Sequence, residues 1–309
     1  MNYNKNINIM IIALVIVFSS FFSAQSNYFK QSIPENKILV VAHRGDWHNY
    51  PENSIKAVES CIKMGVDIVE IDIQKTKDGK LIIMHDTTLN RTTNGKGLIS
   101  ATNYKDIQSL SLKNGAGMPG REKIPTLEEM LNFIKGKRIM LNLDKAWDYL
   151  DETIEIVNKT GTHDQIILKG NKKAEILKKE VGNKLNNIVY MPMVWPEDYS
   201  IYTREEVLNP KKYVNDFSKS FHPAAYEVII KNDTPKADEL LQLIKSQNSL
   251  IWINTLWAEL CAGHDDDLAD EHPEEHWGWA IRKGANIIQT DRPEKLIKYL
   301  QSKNMKYEN

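Results

Sequence analysis

Cysteine is scarce in this chain, which has only Cys61 and Cys261 among its 309 residues. Scaffolds that depend on disulfides carry many cysteines in a much shorter chain. Cys61 falls at an apolar position of a predicted helix, and Cys261 lies far from it along the chain. We therefore expect two small buried side chains rather than a disulfide.

The chain also lacks an excess of charge of either sign, because 40 basic and 41 acidic side chains leave a formal net charge of −1. Nucleic-acid-binding domains usually carry a basic excess, so we expect no nucleic-acid partner. No low-complexity segment or repeat of solenoid period is visible. With 41% apolar residues, the chain can bury the core of one large α/β barrel or of two smaller domains.

Long apolar runs are absent except near the N-terminus, where Ile9–Phe22 follows a short polar stretch. This run is too short for a comfortable membrane span, and Ala24 suits a cleavage site. The pattern predicts a secretory signal peptide over residues 1–26 and one exported domain over residues 27–309, periplasmic or extracellular, with no stable membrane insertion after signal removal. An uncleaved anchor is the alternative, and the oligomeric state stays open.

What is present is a series of short apolar segments with β-strand character that end in polar residues. In a parallel α/β barrel the carboxyl ends of the strands meet on one face, so polar residues there form a site. The first three segments are Ile38–Ala42, Val66–Ile73 and Leu81–Met84, and the polar residues at or near their ends are His43, Arg44, Glu70, Asp72, His85 and Asp86.

Nine such segments are visible, one more than a TIM (β/α)8 barrel needs, so we expect one to be wrong or to lie outside the barrel. Asn187–Met193 and Tyr226–Ile230 are the weakest candidates. The tight return at Lys77–Lys80 leaves no room for a helix, so the predicted barrel is irregular between its second and third strands. Residues 90–125, rich in Gly, Asn and Thr, predict a long loop on the catalytic face.

Two helix boundaries are marked by their end residues. Asn53 is a good N-cap for the helix after the first strand, and Gly65 suits its C-terminal end. Thr126 with Glu129 forms a capping box that opens a later helix.

Glu70 and Asp72 lie two residues apart on a strand, so their side chains point to the same side. The rest of that strand is apolar, and unpaired carboxylates in such a buried position are costly. One divalent cation with a preference for oxygen ligands, Mg²⁺ or Ca²⁺, would relieve their repulsion. The pair therefore predicts a metal site.

His43, His85 and Arg44 complete a constellation suited to a phosphodiester. The unperturbed pKa of histidine lies close to the operating pH of most enzymes, which suits an acid or a base. The guanidinium of Arg44 offers a fixed fork of donors for phosphate oxygens. The residues thus predict a metal-assisted phosphodiesterase with His43 and His85 as catalytic residues.

The chain resembles the glycerophosphodiester phosphodiesterase family, a family of TIM barrels. The resemblance is dense over residues 38–93 and thins between its two later motifs. Its elements appear in order as His43-Arg44-Gly45, Pro51-Glu52-Asn53, Glu70-Ile71-Asp72, His85-Asp86, Arg91-Thr92-Thr93, Ile124-Pro125-Thr126-Leu127 and Thr290-Asp291-Arg292-Pro293.

The resemblance implies the roles that these residues have in the family. His43 and His85 would be the acid and base, Arg44 would hold the phosphate, and Glu70 and Asp72 would bind the metal. It also implies attack by the glycerol 2-hydroxyl and a cyclic phosphate that is then hydrolysed.

The fourth strand departs from the family pattern, in which a glutamate ligand is followed two residues later by a phosphate-contacting lysine. Here Asp144 and Lys145 are adjacent, and Asn142 shares the face of Asp144. Adjacent strand residues face opposite ways, so a metal role for Asp144 and a phosphate role for Lys145 require a twist or bulge.

The late Trp-Thr motif of the family is altered here, which implies a different pocket wall. Trp252 and Asn254 are the predicted substrate-binding residues, and Trp195 and Trp257 are further candidates for the wall. For each tryptophan, a place in the core is the competing interpretation.

Residues 264–276, termed the acidic run, contain four aspartates and three glutamates and no Lys or Arg. The run is either a solvated acidic loop or a second cation site or lid that would favour cationic head groups. Its position after the Leu250–Leu256 segment places it near the catalytic face.

The leading prediction is an enzyme that hydrolyses small glycerophosphodiesters to glycerol phosphate and an alcohol, with one divalent cation. One alternative is a phosphodiesterase of the phospholipase D or C type, acting on intact lipids through a cyclic phosphate. A non-catalytic binding protein is the third possibility, supported only by the irregular fourth strand.

Overall fold

The computed structural model describes Phe29 and residues 33–181, 188–197, 209–220 and 222–308. The predicted signal segment, residues 1–26, lies outside these residues, so it stays a prediction. Among the described residues, no helix has the length and apolarity needed to cross a bilayer.

Eight parallel strands close into a barrel. The first, β1, pairs with β2 on one side and with β9 on the other, which closes the sheet. The TIM-barrel prediction is therefore confirmed. The barrel strands are β1 (Leu39–His43), β2 (Ile68–Lys75), β4 (Met140–Asp144), β5 (Ile166–Gly170), β6 (Val189–Val194), β7 (Ala225–Val228), β8 (Leu250–Asn254) and β9 (Ile287–Thr290).

The ninth strand, β3 (Leu81–Ile83), lies outside the barrel and pairs antiparallel with the end of β2. The chain turns back within a few residues, with Gly79 at a φ of 84°. Such a tight return can join only antiparallel strands, because a parallel pair needs a long crossover. The irregularity predicted here is thus confirmed, while the two strand candidates considered weakest, now β6 and β7, both belong to the barrel.

The barrel strands are separated mainly by helices. Between the first two strands lies α1, and single turns of 3₁₀ helix occur at Ile99–Ala101, Ala146–Tyr149, His163–Gln165 and Ala258–Leu260. The helices are α1 (Ile55–Met64), α2 (Tyr104–Ile107), α3 (Leu127–Ile134), α4 (Leu150–Thr160), α5 (Ala174–Val181), α6 (Pro210–Ser220), α7 (Pro235–Ser246), α8 (Asp266–Ala269), α9 (Trp277–Arg282) and α10 (Pro293–Ser302).

One predicted helix boundary is wrong. The N-cap of α1 is Ser54, whose side chain accepts a hydrogen bond from the Ala57 backbone N–H, and not Asn53. Asn53 has a φ of 60° and turns its side chain towards β2. The other boundaries are confirmed, because Gly65 ends α1 in the left-handed region and Thr126 opens α3 with a capping box.

The core has two parts, one between the barrel and its helices and one inside the barrel. The inner apolar layer includes Trp252, which has no exposed surface. Both cysteines are buried and free, as expected. The strand residues of this layer are Leu39, Val41, Ile68, Met140, Ile167, Met191, Ala225, Trp252 and Ile287.

The amino end of the barrel is closed by a buried ion pair. Lys306 Nζ lies 2.7 Å from Asp67 Oδ2, and the same oxygen accepts a hydrogen bond from the Val40 backbone N–H. The segment around Lys306 also runs beside Ile38 in a parallel bridge. The C-terminal residues are thereby fastened across the start of β1 and β2.

Because removal of one member of a buried pair leaves an uncompensated charge, we expect Lys306→Met to lower the free energy of unfolding by about 3 to 5 kcal/mol. Urea denaturation followed by circular dichroism measures this change. The double variant Asp67→Asn with Lys306→Met should recover part of the loss. Lys298→Met, which removes an exposed pair with Glu294, is the control and should change stability little.

Candidate active site

Three carboxylates meet at the carboxyl end of the barrel. Glu70 and Asp72 project inward from β2, and Asp144 ends the neighbouring strand β4, where it is paired in register with Asp72. One ligand oxygen from each lies within 4.8 Å of the others. Glu70 and Asp72 are buried, whereas Asp144 is half-buried. Three hard oxygen donors at this spacing can surround one small cation.

The electrostatics of the cluster fit a divalent cation. Burial, together with the charge of Asp72, raises the pKa of Glu70 well above its usual value. Burial also opposes ionisation of Asp72, but Lys145 and Arg44 outweigh it and lower the pKa of Asp72. One buried carboxylate thus lacks sufficient compensating charge, and Mg²⁺ or Ca²⁺ prefers oxygen ligands of this kind.

A left-handed backbone at Lys145 brings two adjacent side chains to the same site. The φ of Lys145 is 60° and its ψ is 3°, so the chain turns sharply directly after Asp144. Lys145 Nζ then lies 3.0 Å from Asp72 Oδ1 and 2.7 Å from the carbonyl oxygen of His85. This is the local twist that the adjacency of Asp144 and Lys145 required. It places the positively charged ammonium group of Lys145 beside the carboxylate cluster.

Each of the two predicted catalytic histidines is oriented by a carboxylate at Nδ1. His43 Nδ1 lies 2.8 Å from Asp291 Oδ1, and His85 Nδ1 lies 2.8 Å from Asp86 Oδ1. Since a carboxylate accepts the hydrogen bond, Nδ1 carries the proton and Nε2 is left for proton transfer. His43 Nε2 is 3.9 Å from Glu70 Oε2, which places this histidine beside the carboxylate cluster.

The two histidines follow strands of different kinds, one inside the barrel and one outside it. His43 ends the parallel strand β1, as predicted. His85 follows β3, which pairs antiparallel with β2 and not with β1, so the expectation that His43 and His85 end two neighbouring strands is wrong. The extension of β2 beyond the barrel and the return of β3 bring His85 back to the level of Asp72, whose carbonyl oxygen bonds the Met84 backbone N–H.

Asp291 and Asp86 have further partners that hold their charge. The indole Nε1 of Trp47 donates to Asp291 at 2.6 Å. Burial disfavours the charged form of Asp291, but its hydrogen bonds with His43 and Trp47 lower its pKa. The hydrogen bond from Arg91 is the largest of the influences that lower the pKa of Asp86.

Arg44 reaches the carboxylates because it also has a left-handed backbone, with a φ of 55°. Its backbone N–H donates to Glu70 at 3.3 Å, and its Nε lies 3.5 Å from Asp72 Oδ2. The next residue must be glycine, because Gly45 has a φ of 79° and a Cβ there would lie 2.8 Å from the Cβ of Ala57. This explains the first motif of the resemblance physically.

Four residues for which the sequence predicted no role in the site support it. Asn53 Nδ2 donates to Asp72 at 3.0 Å. Glu52 accepts hydrogen bonds from both Arg44 and Arg91, and Arg91 also contacts Asp86, so the two sides of the site are linked. These three residues and Asp291 belong to motifs of the family resemblance, and membership of those motifs is the sequence feature that indicates a role for them.

A polar layer inside the barrel contains Glu70 of the cluster and lies one step below Asp72 and Asp144. Each member follows a residue of the inner apolar layer by two positions, so it points inward one step nearer the carboxyl end. Lys169 Nζ lies 3.8 Å from Asp144 Oδ1 and 3.5 Å from Glu227 Oε2. The members are His43, Glu70, Asn142, Lys169, Glu227, Asn254 and Gln289.

The sequence missed Lys169 because nothing in its local pattern marks it. Burial disfavours its charge, but the carboxylates around it, led by Asp144 and Glu227, raise the pKa of Lys169 above its usual value. It therefore adds a buried positive charge below the cluster.

Two predicted substrate-binding residues have other partners. Trp252 is buried in the apolar layer and donates its indole N–H to Asn254 Oδ1 at 2.7 Å. Asn254 Nδ2 donates in turn to Glu227 Oε1 at 2.7 Å. Trp252 is therefore core instead of pocket wall, and Asn254 supports Glu227 instead of a substrate, because hydrogen bonds of the inner layer occupy both side chains.

A cavity of about 430 Å³ opens beside the carboxylate cluster. Trp257 is half-exposed in it, and the ring of Trp257 lies 6.2 Å from that of His43 in an edge-on arrangement. Trp195 also lines the cavity, so two of the three candidate tryptophans border it. Its other lining residues are Asp144, Lys145, Trp147, Lys169, Gly170, Asn171, Met193, Ile229, Lys231, Glu259 and Leu260.

Part of the negative charge of the acidic run is paired with basic side chains. Arg292 pairs with both Asp267 and Asp270, and Lys295 pairs with Asp270. Asp266 is buried beneath these pairs. Several acids of the run thus tie the loop to Arg292 and to α10, while a role as a second cation site or lid stays a prediction.

Comparisons with known proteins agree with this geometry. The model of the glycerophosphoryl diester phosphodiesterase family matches residues 43–295. A glycerophosphodiester phosphodiesterase of Caldanaerobacter subterraneus subsp. tengcongensis is 43% identical over 110 residues, which are 35% of this chain and 45% of the relative. One from Bacillus subtilis is 42% identical over 106 residues, or 31% of this chain and 36% of the relative. The chain thus spans less than half the length of these two curated relatives.

Solved structures share the fold over most of the chain. The structure of a glycerophosphoryl diester phosphodiesterase from Parabacteroides distasonis superimposes with a TM-score of 0.73 and 24% identity, covering 90% of each chain. An Oleispira antarctica phosphodiesterase, solved with the product sn-glycerol-3-phosphate, superimposes with a TM-score of 0.59 and 20% identity, covering 85% of this chain and 96% of that one. These likenesses support the barrel architecture.

The carboxylate cluster predicts cation binding that can be measured without turnover. We expect Asp144→Asn to weaken the binding of Mg²⁺ or Ca²⁺ by about 10- to 100-fold or more, because one ligand oxygen loses its charge. Isothermal titration calorimetry measures the affinity. The exposed Asp106→Asn variant should bind like the unaltered protein, and equal affinities for both variants would contradict a role for Asp144.

Proposed function

The chain belongs to the glycerophosphoryl diester phosphodiesterase family, and we propose that it hydrolyses glycerophosphodiesters to glycerol phosphate and an alcohol. The observation that carries the proposal is the pair of histidines, His43 and His85, beside the carboxylate cluster. Each has Nδ1 on a carboxylate and Nε2 free for proton transfer. Such a pair can serve as base and acid on the two sides of one phosphorus atom.

The charges around the cluster suit an anionic phosphodiester. Arg44 and Lys145 lie beside Asp72 and present donors for non-bridging phosphate oxygens. Glu70, Asp72 and Asp144 would hold one divalent cation, Mg²⁺ or Ca²⁺. When bound, the cation supplies positive charge to stabilise the phosphate oxygens as negative charge increases on them.

The proposed reaction has two steps that the histidines share. One histidine takes the proton from the glycerol 2-hydroxyl as its oxygen bonds to phosphorus. The bond from phosphorus to the other alcohol breaks, and that alcohol leaves with a proton from the second histidine. Water then opens the cyclic phosphate with the proton roles reversed, so the sum is one diester and one water giving glycerol phosphate and one alcohol.

The charged residues around the two histidines hold the imidazole rings in the orientation that proton transfer needs. Asp291 and Asp86 orient the rings and stabilise the protonated imidazole during each transfer. Arg91 and Glu52 join the His85 side to Arg44. The site is thus held together by charged hydrogen bonds on loops that follow the strand ends.

We also propose that the cavity beside Trp257 receives part of the diester. The ring of Trp257 lies 6.2 Å from that of His43 and lines the cavity, whose apolar lining includes Ile229 and Leu260. Export of the protein to the periplasm or beyond is a further part of the proposal, and the pattern of residues 1–26 supports it.

The first test is a panel of glycerophosphodiesters with choline, ethanolamine, glycerol or inositol as the alcohol. Turnover should stop with EDTA and return with Mg²⁺ or Ca²⁺. Release of glycerol phosphate supports the proposal. Turnover of intact lipids alone, with a cyclic phosphate as the final product, would instead support a phospholipase-type reaction.

The histidine assignment predicts that His43→Ala and His85→Ala each lower kcat by about 100- to 10,000-fold, because each removes an acid or base. Steady-state kinetics with the best substrate of the panel measures the loss. His163→Ala, on the far loop after α4, is the matched control and should retain activity. Either variant with kcat near that of the unaltered enzyme would contradict its catalytic role.

The cavity assignment predicts that Trp257→Ala raises KM by about 5- to 30-fold, because a substrate would lose roughly 1 to 2 kcal/mol of contact with the ring. Initial-rate kinetics separates KM from kcat. Met118→Ala removes another exposed apolar side chain, one outside the cavity lining, and should leave both constants unchanged. An unchanged KM in Trp257→Ala would place substrate binding elsewhere.

A further inference from the structure

One aspartate of the acidic run is unlike the others, because Asp266 is 1% exposed. Its carboxylate accepts four hydrogen bonds. Oδ1 accepts from Thr255 Oγ1 at 2.7 Å, from Trp277 Nε1 at 2.8 Å and from Thr290 Oγ1 at 2.9 Å. Oδ2 accepts from the backbone N–H of Asp291 at 2.6 Å.

The last of these contacts connects Asp266 to the site. Asp266 accepts the hydrogen bond of the Asp291 backbone N–H. The side chain of Asp291 in turn accepts hydrogen bonds from His43 and Trp47. Asp266 therefore stands behind the carboxylate that orients His43, and it is separated from the histidine by a single residue.

We propose that Asp266 is a positioning residue for His43, which it orients by fixing the backbone of Asp291. The catalytic part of this inference rests on the proposed function. None of the four hydrogen bonds of Asp266 goes to His43 or to the carboxylate cluster, so its effect is exerted through Asp291.

The demand for a carboxylate distinguishes this role from simple packing. All four partners donate, so a side chain with two acceptor oxygens is needed. An asparagine of the same shape could accept three of the hydrogen bonds on its oxygen. Its amide nitrogen would then face the N–H of Asp291, and two donors cannot bond each other. With the amide reversed, the nitrogen would face the N–H of Trp277.

Burial of Asp266 makes its negative charge energetically unfavourable. Burial raises the pKa of Asp266 to about 7, and its hydrogen bonds with Thr255 and Trp277 are among those that oppose this rise. No ion pair to Asp266 is present among the described residues, so neutral donors alone stabilise its charge. A neutral side chain would avoid this cost if packing were the only requirement.

Asp266→Asn is the direct test. We expect kcat to fall about 10- to 100-fold while KM changes little, because proton transfer is impaired and substrate contacts are kept. The second readout is the Nδ1–H resonance of His43 in NMR spectra of the ¹⁵N-histidine-labelled protein, assigned by its loss in His43→Ala. We expect this resonance to shift or broaden in Asp266→Asn.

Matched variants separate positioning from loss of fold. Asp267→Asn removes a charge from the neighbouring, exposed position and should leave kcat and the His43 resonance unchanged. Asp291→Asn should alter the same resonance as Asp266→Asn. Binding of Mg²⁺ or Ca²⁺ by Asp266→Asn should match that of the unaltered protein, because Glu70, Asp72 and Asp144 are intact.

The proposal is overturned if Asp266→Asn leaves the His43 resonance unchanged in a folded protein, whatever happens to kcat. It is also overturned if Asp267→Asn has the same effect on the resonance. Loss of stability is checked by thermal unfolding, and if Asp266→Asn does not fold, Trp277→Phe removes one donor to the same carboxylate and is examined in its place. If no substrate of the panel is turned over, the proposed function fails, yet the resonance still decides the positioning role.

Discussion

Repulsion among three carboxylates at one end of a barrel is the constraint on which the rest of this structure depends. Glu70, Asp72 and Asp144 are held close together where burial makes their charge costly. Lys145 and Arg44 approach from the rim, and Lys169 approaches from the polar layer below. The inner apolar layer lies further inside the barrel, so the compensating charges in the structure come from the rim and from this polar layer.

The backbone around the site adopts conformations that place these charges. Arg44, Asn53 and Lys145 all have φ values near 60°, a region that residues other than glycine rarely occupy. In each case the turn directs the side chain at the carboxylates, where a regular strand or helix would direct it away. Backbone strain of this type is often found at functional sites, where surrounding contacts maintain it. Here the hydrogen bonds to Asp72 are among those contacts.

The two histidines show how the same chemical arrangement arises from different parts of the fold. His43 depends on Asp291 at the end of the last barrel strand, and Asp266 of the acidic run lies behind it. His85 depends on the adjacent Asp86, which Arg91 holds from the long loop. The loops on the carboxyl face are therefore structural parts of the site, and the acidic run belongs to them.

The sequence by itself determined the barrel, the carboxylate pair on β2 and the two histidines, because apolar strands with polar residues at their ends are local patterns. It could not decide which of nine strands lies outside the barrel, since pairing direction depends on contacts between distant segments. Nor could it place Lys169, Asp266 or Trp252, whose roles come from neighbours far away in the chain. Only the tertiary structure brought Lys145 to the face of Asp144, because a single left-handed residue reverses the alternation of side chains that a regular strand would have.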